Sequence, residues 1–149
     1  MQHFTLKAGI TIAFFFFSLR IFAQVPAWDW AQKTGNNSNN ESTAAIAFDA
    51  SGNSFVAGNF EGTITLGATT LSSNGGRDVY IAKYNPAGLL LWAQKAGGAG
   101  FDQVSGLTFD AAGNFLITGQ FQSAATFQSN PASGNITLTA TGTTDMFVA

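Results

Sequence analysis

Two segments of thirteen residues decide the fold: FDASGNSFVAGNF at residues 48–60 and FDAAGNFLITGQF at residues 109–121. They align without a gap at a spacing of 61 residues. Two further blocks recur in the same order: WAQK at 30–33 and 92–95, and DVYIA at 78–82 against DMFVA at 145–149. Three blocks repeated in one order indicate an internal duplication, which is typical of repeat architectures.

The repeated blocks have the composition of β-strands. They are short, rich in β-branched and aromatic residues, and bounded by Gly, Asn, Asp and Pro. The strands of the first repeat are expected at 44–48, 54–60, 79–84 and 89–94. Between the first two, the segment 49–52 fits a tight turn, because Asp binds its own backbone and Gly supplies a positive φ. No helical period follows residue 24, so the mature chain is predicted to be all-β.

Both faces of these strands are apolar. Val79 and Ile81 lie on one face of their strand, and Tyr80, Ala82 and Tyr84 lie on the other. An antiparallel sheet that faced water on one side would alternate apolar and polar residues instead. Sheets buried on both faces in a repeat of about 60 residues predict radially stacked blades of four antiparallel strands, which is a β-propeller.

The propeller region is expected to span residues 24–149, with repeat one at about 30–91 and a truncated repeat two at about 92–149. The segments 61–77 and 122–144 differ in length between the repeats and are expected to form a variable rim, since length changes are tolerated in loops. Propellers typically have four to eight blades. About two blades therefore suggest a fragment of a longer propeller, or a chain that completes a ring with other copies.

The segments 48–58 and 78–92 resemble the SBBP family, the seven-bladed β-propeller repeats of secreted bacterial proteins. The likeness covers nearly all of residues 28–149. It implies an extracellular or cell-surface propeller and supplies no catalytic residues. The second repeat departs from the pattern through its longer 122–144 segment.

The N-terminus predicts a cleaved secretory signal at residues 1–23. A short basic start is followed by an apolar run that contains four consecutive phenylalanines, and Ala23 is a small residue at the expected cleavage site. Arg20 interrupts the run before it reaches the roughly 20 residues of a membrane span. Without residues 1–23, four basic side chains remain against eight carboxylates, for a net charge of −4. This charge argues against nucleic acid as a partner.

The mature chain would contain no histidine and no cysteine. Catalysis with a histidine base, thiol chemistry and zinc sites built from these ligands are therefore excluded for it. Asp49 and Asp110 occupy equivalent turns, and Asp78 and Asp145 begin equivalent strands. Turn formation is the first interpretation of these carboxylates, and calcium ligation by Asp49 and Asp110 is the weaker alternative. Catalysis is weaker still, because residues repeated once per blade are spaced around a ring rather than paired.

Trp28 has no counterpart in the repeat and is the best candidate for an exposed ligand-binding residue, whereas Trp30 and Trp92 are expected to pack in the core or between blades. The glycine-rich segment 97–100 lacks the Gly-Lys-Ser/Thr of a phosphate loop and is expected to be a flexible connection. The sequence thus predicts a non-enzymatic secreted or cell-surface scaffold without a cofactor, whose partner is an extracellular protein, a glycan or further blades. The alternatives are a fragment of a carbohydrate-active propeller, and a purely structural segment of a larger surface protein.

Overall fold

The computed structural model describes residues 27–35, 40–128 and 134–149, and within these ranges it contains β-strands and no helix. The predicted signal sequence at residues 1–23 lies outside the described residues. The strands are β1 (Glu41–Phe48), β2 (Ser54–Leu66), β3 (Thr69–Tyr84), β4 (Leu90–Gly97), β5 (Gln103–Phe109), β6 (Phe115–Phe121), β7 (Ala124–Phe127), β8 (Ile136–Thr139) and β9 (Asp145–Val148). The all-β class is confirmed.

The strands form two antiparallel sheets that do not close into a barrel. One sheet has the order β1-β2-β3-β4-β7-β8 and the other has the order β5-β6-β9. We call β1–β4 the first blade, β5, β6 and β9 the second blade, and the β7–β8 hairpin the arm. The first blade has the four expected strands, and the second has three among the described residues.

The two blades share an irregularity at the same place. The register of β1 against β2 shifts between Thr43 and Ala45, and that of β5 against β6 shifts between Val104 and Gly106. These positions are 61 residues apart, which is the spacing of the sequence repeat. A β-bulge bends its strand and increases the local twist. The first strands of the two blades, β1 and β5, are therefore bent at equivalent points.

The expected rim is built from strands rather than loops. β2 and β3 continue through residues 61–77 and meet at a two-residue turn, where Gly67 has a φ of +55°. The stretch TITL at 63–66 alternates polar and apolar side chains, so that Ile64 and Leu66 are buried. This period of two is the signal of a half-buried strand, and it extends the hairpin beyond the expected strand ends.

The arm is the counterpart of this extension in the second repeat, within the segment 122–144. It pairs with β4 of the first blade, through Ala96 with Phe127 and Gly97 with Thr126. The first sheet is therefore six-stranded. Because the arm belongs to the second repeat and pairs with the first blade, it joins the two blades by backbone hydrogen bonds.

Apolar side chains from both blades form one shared core. The first blade contributes Ala57, Val79, Ile81 and Ala96, and the facing residues are Val104, Ile117, Phe121, Ala125 and Phe147. An aromatic cluster continues this core, in which the Phe55 ring lies 4.8 Å from that of Phe109 and 5.5 Å from that of Phe115. The blades are thus stacked face to face, as in a propeller.

A second core lies on the opposite face of the first blade, which we call its outer face. It is formed by Phe60, Ile64, Leu66, Tyr80, Ala82 and Tyr84. The N-terminal segment 27–35 contributes Trp30, which stacks on Tyr84 with ring centroids 6.2 Å apart. Both faces of the first blade are therefore largely apolar, as the strand pattern predicts, and the N-terminal segment covers part of the outer face.

Candidate functional site

Asp49 and Asp110 each stabilise the turn that follows the first strand of their blade, β1 and β5 respectively. Oδ1 of Asp49 accepts hydrogen bonds from the backbone N–H groups of Ser51 and Asn53, both at 2.9 Å, and Oδ2 accepts one from Nδ2 of Asn53 at 2.7 Å. Asp110 makes the same three bonds to the residues two and four positions further on. Gly52 and Gly113 complete the turns with positive φ.

The donors in these turns favour ionised carboxylates. The side-chain amide of Asn53, with help from Lys83 and the turn's backbone, holds the pKa of Asp49 well below its usual range, and Asn114 lowers the pKa of Asp110. Nζ of Lys83 lies 3.0 Å from Oδ2 of Asp49, where it would repel a bound cation. Every oxygen of the two carboxylates already accepts a hydrogen bond. The calcium interpretation of Asp49 and Asp110 therefore gains no support from their geometry.

A different pair of carboxylates meets where the two blades join. Asp78 lies in β3 of the first blade, and Asp102 immediately precedes β5 of the second, with exposures of 0% and 1%. Oδ2 of Asp78 accepts a hydrogen bond from the Asn74 N–H at 3.0 Å. Oδ2 of Asp102 accepts one from the Gly98 N–H at 2.7 Å.

Burial disfavours the charged form of both side chains. Desolvation raises the pKa of Asp78 to about 6, and the negative charge of Asp102 acts in the same direction. Desolvation also raises the pKa of Asp102. Titratable groups perturbed in this way are frequent at functional sites. Glycoside hydrolysis is not supported by this pair, because both carboxylates are closed off from solvent and a sugar cannot reach them.

We expect the stability of the protein to fall between about pH 4 and pH 7 in metal-free buffer. The pKa of Asp78 is about 6 in the folded state, against 3.8 for an unperturbed side chain. The folded protein therefore binds a proton in this window that the unfolded chain releases. The difference corresponds to about 3 kcal/mol, present in full below the unfolded pKa and lost as the pH rises through the folded pKa.

Urea unfolding at a series of pH values measures this slope. Asp78→Asn should reduce it, because an amide does not titrate, and the remaining slope then comes from Asp102, whose pKa burial also raises. Asp145→Asn, at the equivalent position of the second blade, should leave it in place. An unchanged slope in Asp78→Asn would assign the pH dependence to other groups.

Sequence reasoning singled out Asp78 as a repeated residue and missed Asp102. A signal was present. Gly35 followed by Glu41 recurs as Gly97 followed by Asp102, a glycine at the end of one repeat and an acid at the start of the next. In the structure both glycines have positive φ, and each adjoins the carboxyl group of its acidic residue.

The glycine-rich segment 97–100 is tightly packed, in contrast to the flexible connection expected. A Cβ atom at Gly98 would collide with the backbone carbonyl of Ala124 in the arm, and one at Gly100 would lie 2.7 Å from the backbone oxygen of Gln122. Residues with side chains cannot approach a neighbouring backbone this closely. The glycines therefore allow the connection between blades to lie directly against the arm.

The three tryptophans lie in different surroundings. Trp28 is 95% exposed on the surface. Trp30 packs over Gly88 and stacks on Tyr84. Trp92 lies between the blades, with its ring 5.7 Å from Phe55 and 6.0 Å from Phe115. Trp28 is thus the one tryptophan whose side chain is almost fully exposed.

A cavity of about 230 Å³ lies between the N-terminal segment and the outer face of the first blade. Its lining residues are Trp30, Gln32, Thr34, Thr43, Ile46, Val56, Tyr80 and Tyr84. The Tyr80 hydroxyl at its edge is hydrogen-bonded to Oγ1 of Thr43 at 3.3 Å. The segment 30–33 is the sequence counterpart of part of β4. The cavity therefore lies between a segment with the sequence of a fourth strand and the outer face of the first blade.

No protein-family model matches the chain, and no curated protein matches it significantly. The function is therefore argued from the geometry alone. In the described part of the chain, no helix is long and apolar enough to span a bilayer. The same residues contain no group of three or more His, Cys, Asp or Glu side chains arranged to bind a metal.

Proposed function

We propose that the chain is a non-catalytic module of a secreted or cell-surface β-propeller of the SBBP type, which serves as a scaffold for an extracellular partner. One observation carries this proposal. One face of the second blade points away from the first blade. Its residues occupy the repeat positions that, in the first blade, are covered by the second blade.

The equivalence can be followed along the strands. Phe55, Ala57, Val79 and Ile81 of the first blade pack against the second blade or lie in the core shared with it. Their repeat counterparts on the second blade are Leu116, Thr118, Met146 and Val148. Met146 is 88% exposed and Val148 is 70% exposed. Exposed apolar residues grouped on one sheet face mark an interaction surface.

A polar contact across the blade junction also has an exposed counterpart on the second blade. Oδ1 of Asn59 in the first blade accepts a hydrogen bond of 2.8 Å from the backbone N–H of Val104 in the second, at the bulge. The counterpart of Asn59 is Gln120, which is exposed and donates to Gln103 of its own blade at 3.1 Å. The second blade therefore presents both the apolar and the polar elements of an interface with a following blade.

The matching surface is present on the first blade. Ile46 on its outer face is 55% exposed, and the cavity beside it separates this face from the N-terminal counterpart of β4. The segment 30–33 resembles the fourth strand that the second blade lacks within the described residues. We therefore expect this segment to pair with the second blade of another repeat or another copy when that blade stacks on the outer face of the first. Such a head-to-tail contact is heterologous and closes into a ring when the rotation permits.

Sedimentation velocity over a range of concentrations tests this arrangement on protein exported from a bacterial host, whose N-terminus should begin at Gln24. We expect concentration-dependent association that Met146→Asp and Ile46→Asp abolish, because each places a charge in an apolar interface. Ile136→Asp is the matched control, since Ile136 is similarly exposed but lies on the arm. A monomer at every concentration would contradict the proposal.

The scaffold role is tested separately with a panel of glycans and extracellular proteins. Binding without turnover, weakened by Trp28→Ala, supports a module that recognises its partner through this exposed ring. Hydrolysis of a glycan would instead favour the carbohydrate-active alternative. Trp92→Ala is unsuitable as a control because it would damage the core between the blades.

A further inference from the structure

The carboxylates of Asp78 and Asp102 converge on one point at the blade junction. A Cβ atom built at Gly97 would lie 2.7 Å from Oδ1 of Asp78 and 2.8 Å from Oδ2 of Asp102. The two oxygens therefore lie no farther apart than the sum of these distances. Gly97 has a φ of +148° and no side chain, so the space between the carboxylates is not occupied by a methyl group.

One oxygen of this pair lacks a partner. Oδ1 of Asp78 is fully buried and has no hydrogen-bond partner among the described residues. It is also the oxygen of Asp78 that lies, together with Oδ2 of Asp102, beside the position of a Gly97 Cβ atom. Buried polar groups are nearly always hydrogen-bonded, and an exception calls for an explanation such as a bound ion.

The surrounding donors compensate the two charges incompletely. Asp102 accepts hydrogen bonds from the backbone N–H groups of Gly98 and Gln122, at 2.7 and 3.3 Å. The positive charge of Lys95 lowers the pKa of Asp78 by less than burial raises it. The Lys95 ammonium group instead donates a hydrogen bond of 2.6 Å to Oδ1 of Asn74. Two buried carboxylates at this separation repel each other unless a cation or a proton lies between them.

We propose that Asp78 and Asp102 bind a divalent cation, with Ca²⁺ the best fit, at the junction between the two blades. Hard oxygen ligands select Ca²⁺ or Mg²⁺ over zinc. Ca²⁺ accepts irregular geometry and completes its coordination with backbone carbonyls, whereas Mg²⁺ demands a near-ideal octahedron and retains water. The site adjoins two glycine-rich segments, 74–76 and 97–100, in which the Ala99 carbonyl packs against Gly75.

A cation at this position would connect the blades, because each blade supplies one carboxylate. The repeat places an acidic residue at the counterpart of each proposed ligand. Asp145 is the counterpart of Asp78, and Glu41, beside Gly35, is the counterpart of Asp102. Stacking with further blades would bring an acid of each type together again. The proposal does not depend on the proposed function, since both proposed ligands belong to this chain.

Calorimetric titration of the purified, chelator-treated chain with CaCl₂ at pH 7.5 tests the proposal. We expect one Ca²⁺ per chain, with a dissociation constant of about 10⁻⁴ to 10⁻³ M, as in extracellular calcium modules. About 10 mM CaCl₂ should raise the Tm by about 5 °C. MgCl₂ should bind at least about tenfold more weakly.

Two isosteric variants and two controls locate the ion. Asp78→Asn and Asp102→Asn should each abolish the binding heat and the Tm shift, while circular dichroism confirms that they fold. Asp145→Asn and Asp110→Asn should retain both, because these carboxylates accept hydrogen bonds within their own turns or loops. Absence of Ca²⁺ binding would overturn the proposal in favour of a shared proton. Undiminished binding by Asp78→Asn and Asp102→Asn would overturn it as well.

Discussion

Alanine in place of Gly119 is expected to cost about 3 kcal/mol or more of the free energy of unfolding. A Cβ atom there would collide with the backbone carbonyl oxygen of Gln103 and lie 2.8 Å from the Phe147 ring. The carbonyl belongs to the paired strand β5, so relief requires breaking the register at the bulge. Gly58 has the same environment in the first blade, between the Ser42 carbonyl and the Tyr80 ring, and Gly58→Ala should be similarly damaging.

Gly106→Ala is the matched control for this prediction. Gly106 also lies in the second blade beside the bulge, but a Cβ atom there meets Oγ1 of Thr118 at 3.2 Å, which a side-chain rotation relieves. Its counterpart in the first blade is Ala45, so an alanine is already accommodated at this position of the repeat. Equal losses in urea unfolding for Gly106→Ala and Gly119→Ala would show that close packing is not the cause.

Phe147→Ala should destabilise the protein by about 3–5 kcal/mol, the usual cost of truncating a buried phenylalanine. Phe147 is buried in the core shared by the blades, and its ring lies 5.0 Å from that of Phe127 in the arm. The truncation therefore removes contacts that hold the second blade and the arm together. The unfolding midpoint in urea measures the loss, at a concentration where the chain is monomeric.

Val148→Ala provides the comparison, since Val148 is the next residue of the same strand and points to the opposite face. In the monomer it is mostly exposed, and its truncation should change the free energy of unfolding by about 0.5 kcal/mol or less. If Val148→Ala destabilises the monomer as much as Phe147→Ala, the second blade is not stacked on the first in the way described.

Local interactions explain why so much of the fold followed from the sequence. The Asp49 turn is made by bonds to residues two and four positions further on, so the segment 49–53 contains every group that the turn needs. Because the sequence repeats, each inference about one blade also applied to the other. The strand ends were less predictable: β2 extends to Leu66 because side chains of the TITL stretch alternate, a short signal within a segment whose length varies between the repeats.

The candidate cation site illustrates the opposite case. Asp78 and Asp102 belong to different blades, and the repeats that mark each of them in the sequence do not show that the two side chains meet. Their approach depends on the stacking angle of two sheets and on the direct contact of Gly98 with the arm. Neither the stacking angle nor this contact is determined by a local sequence motif.

The sequence by itself determined that the chain consists of β-strands, that their motifs recur in two copies, and that both strand faces are apolar. These properties depend on residue type and spacing within a few positions. Only the tertiary structure decided that the arm of the second repeat joins β4 of the first blade, that two acids meet at the junction, and that one face of the second blade remains uncovered. Each of these features arises from packing between sheets, where the free energy depends on contacts between residues far apart in the chain.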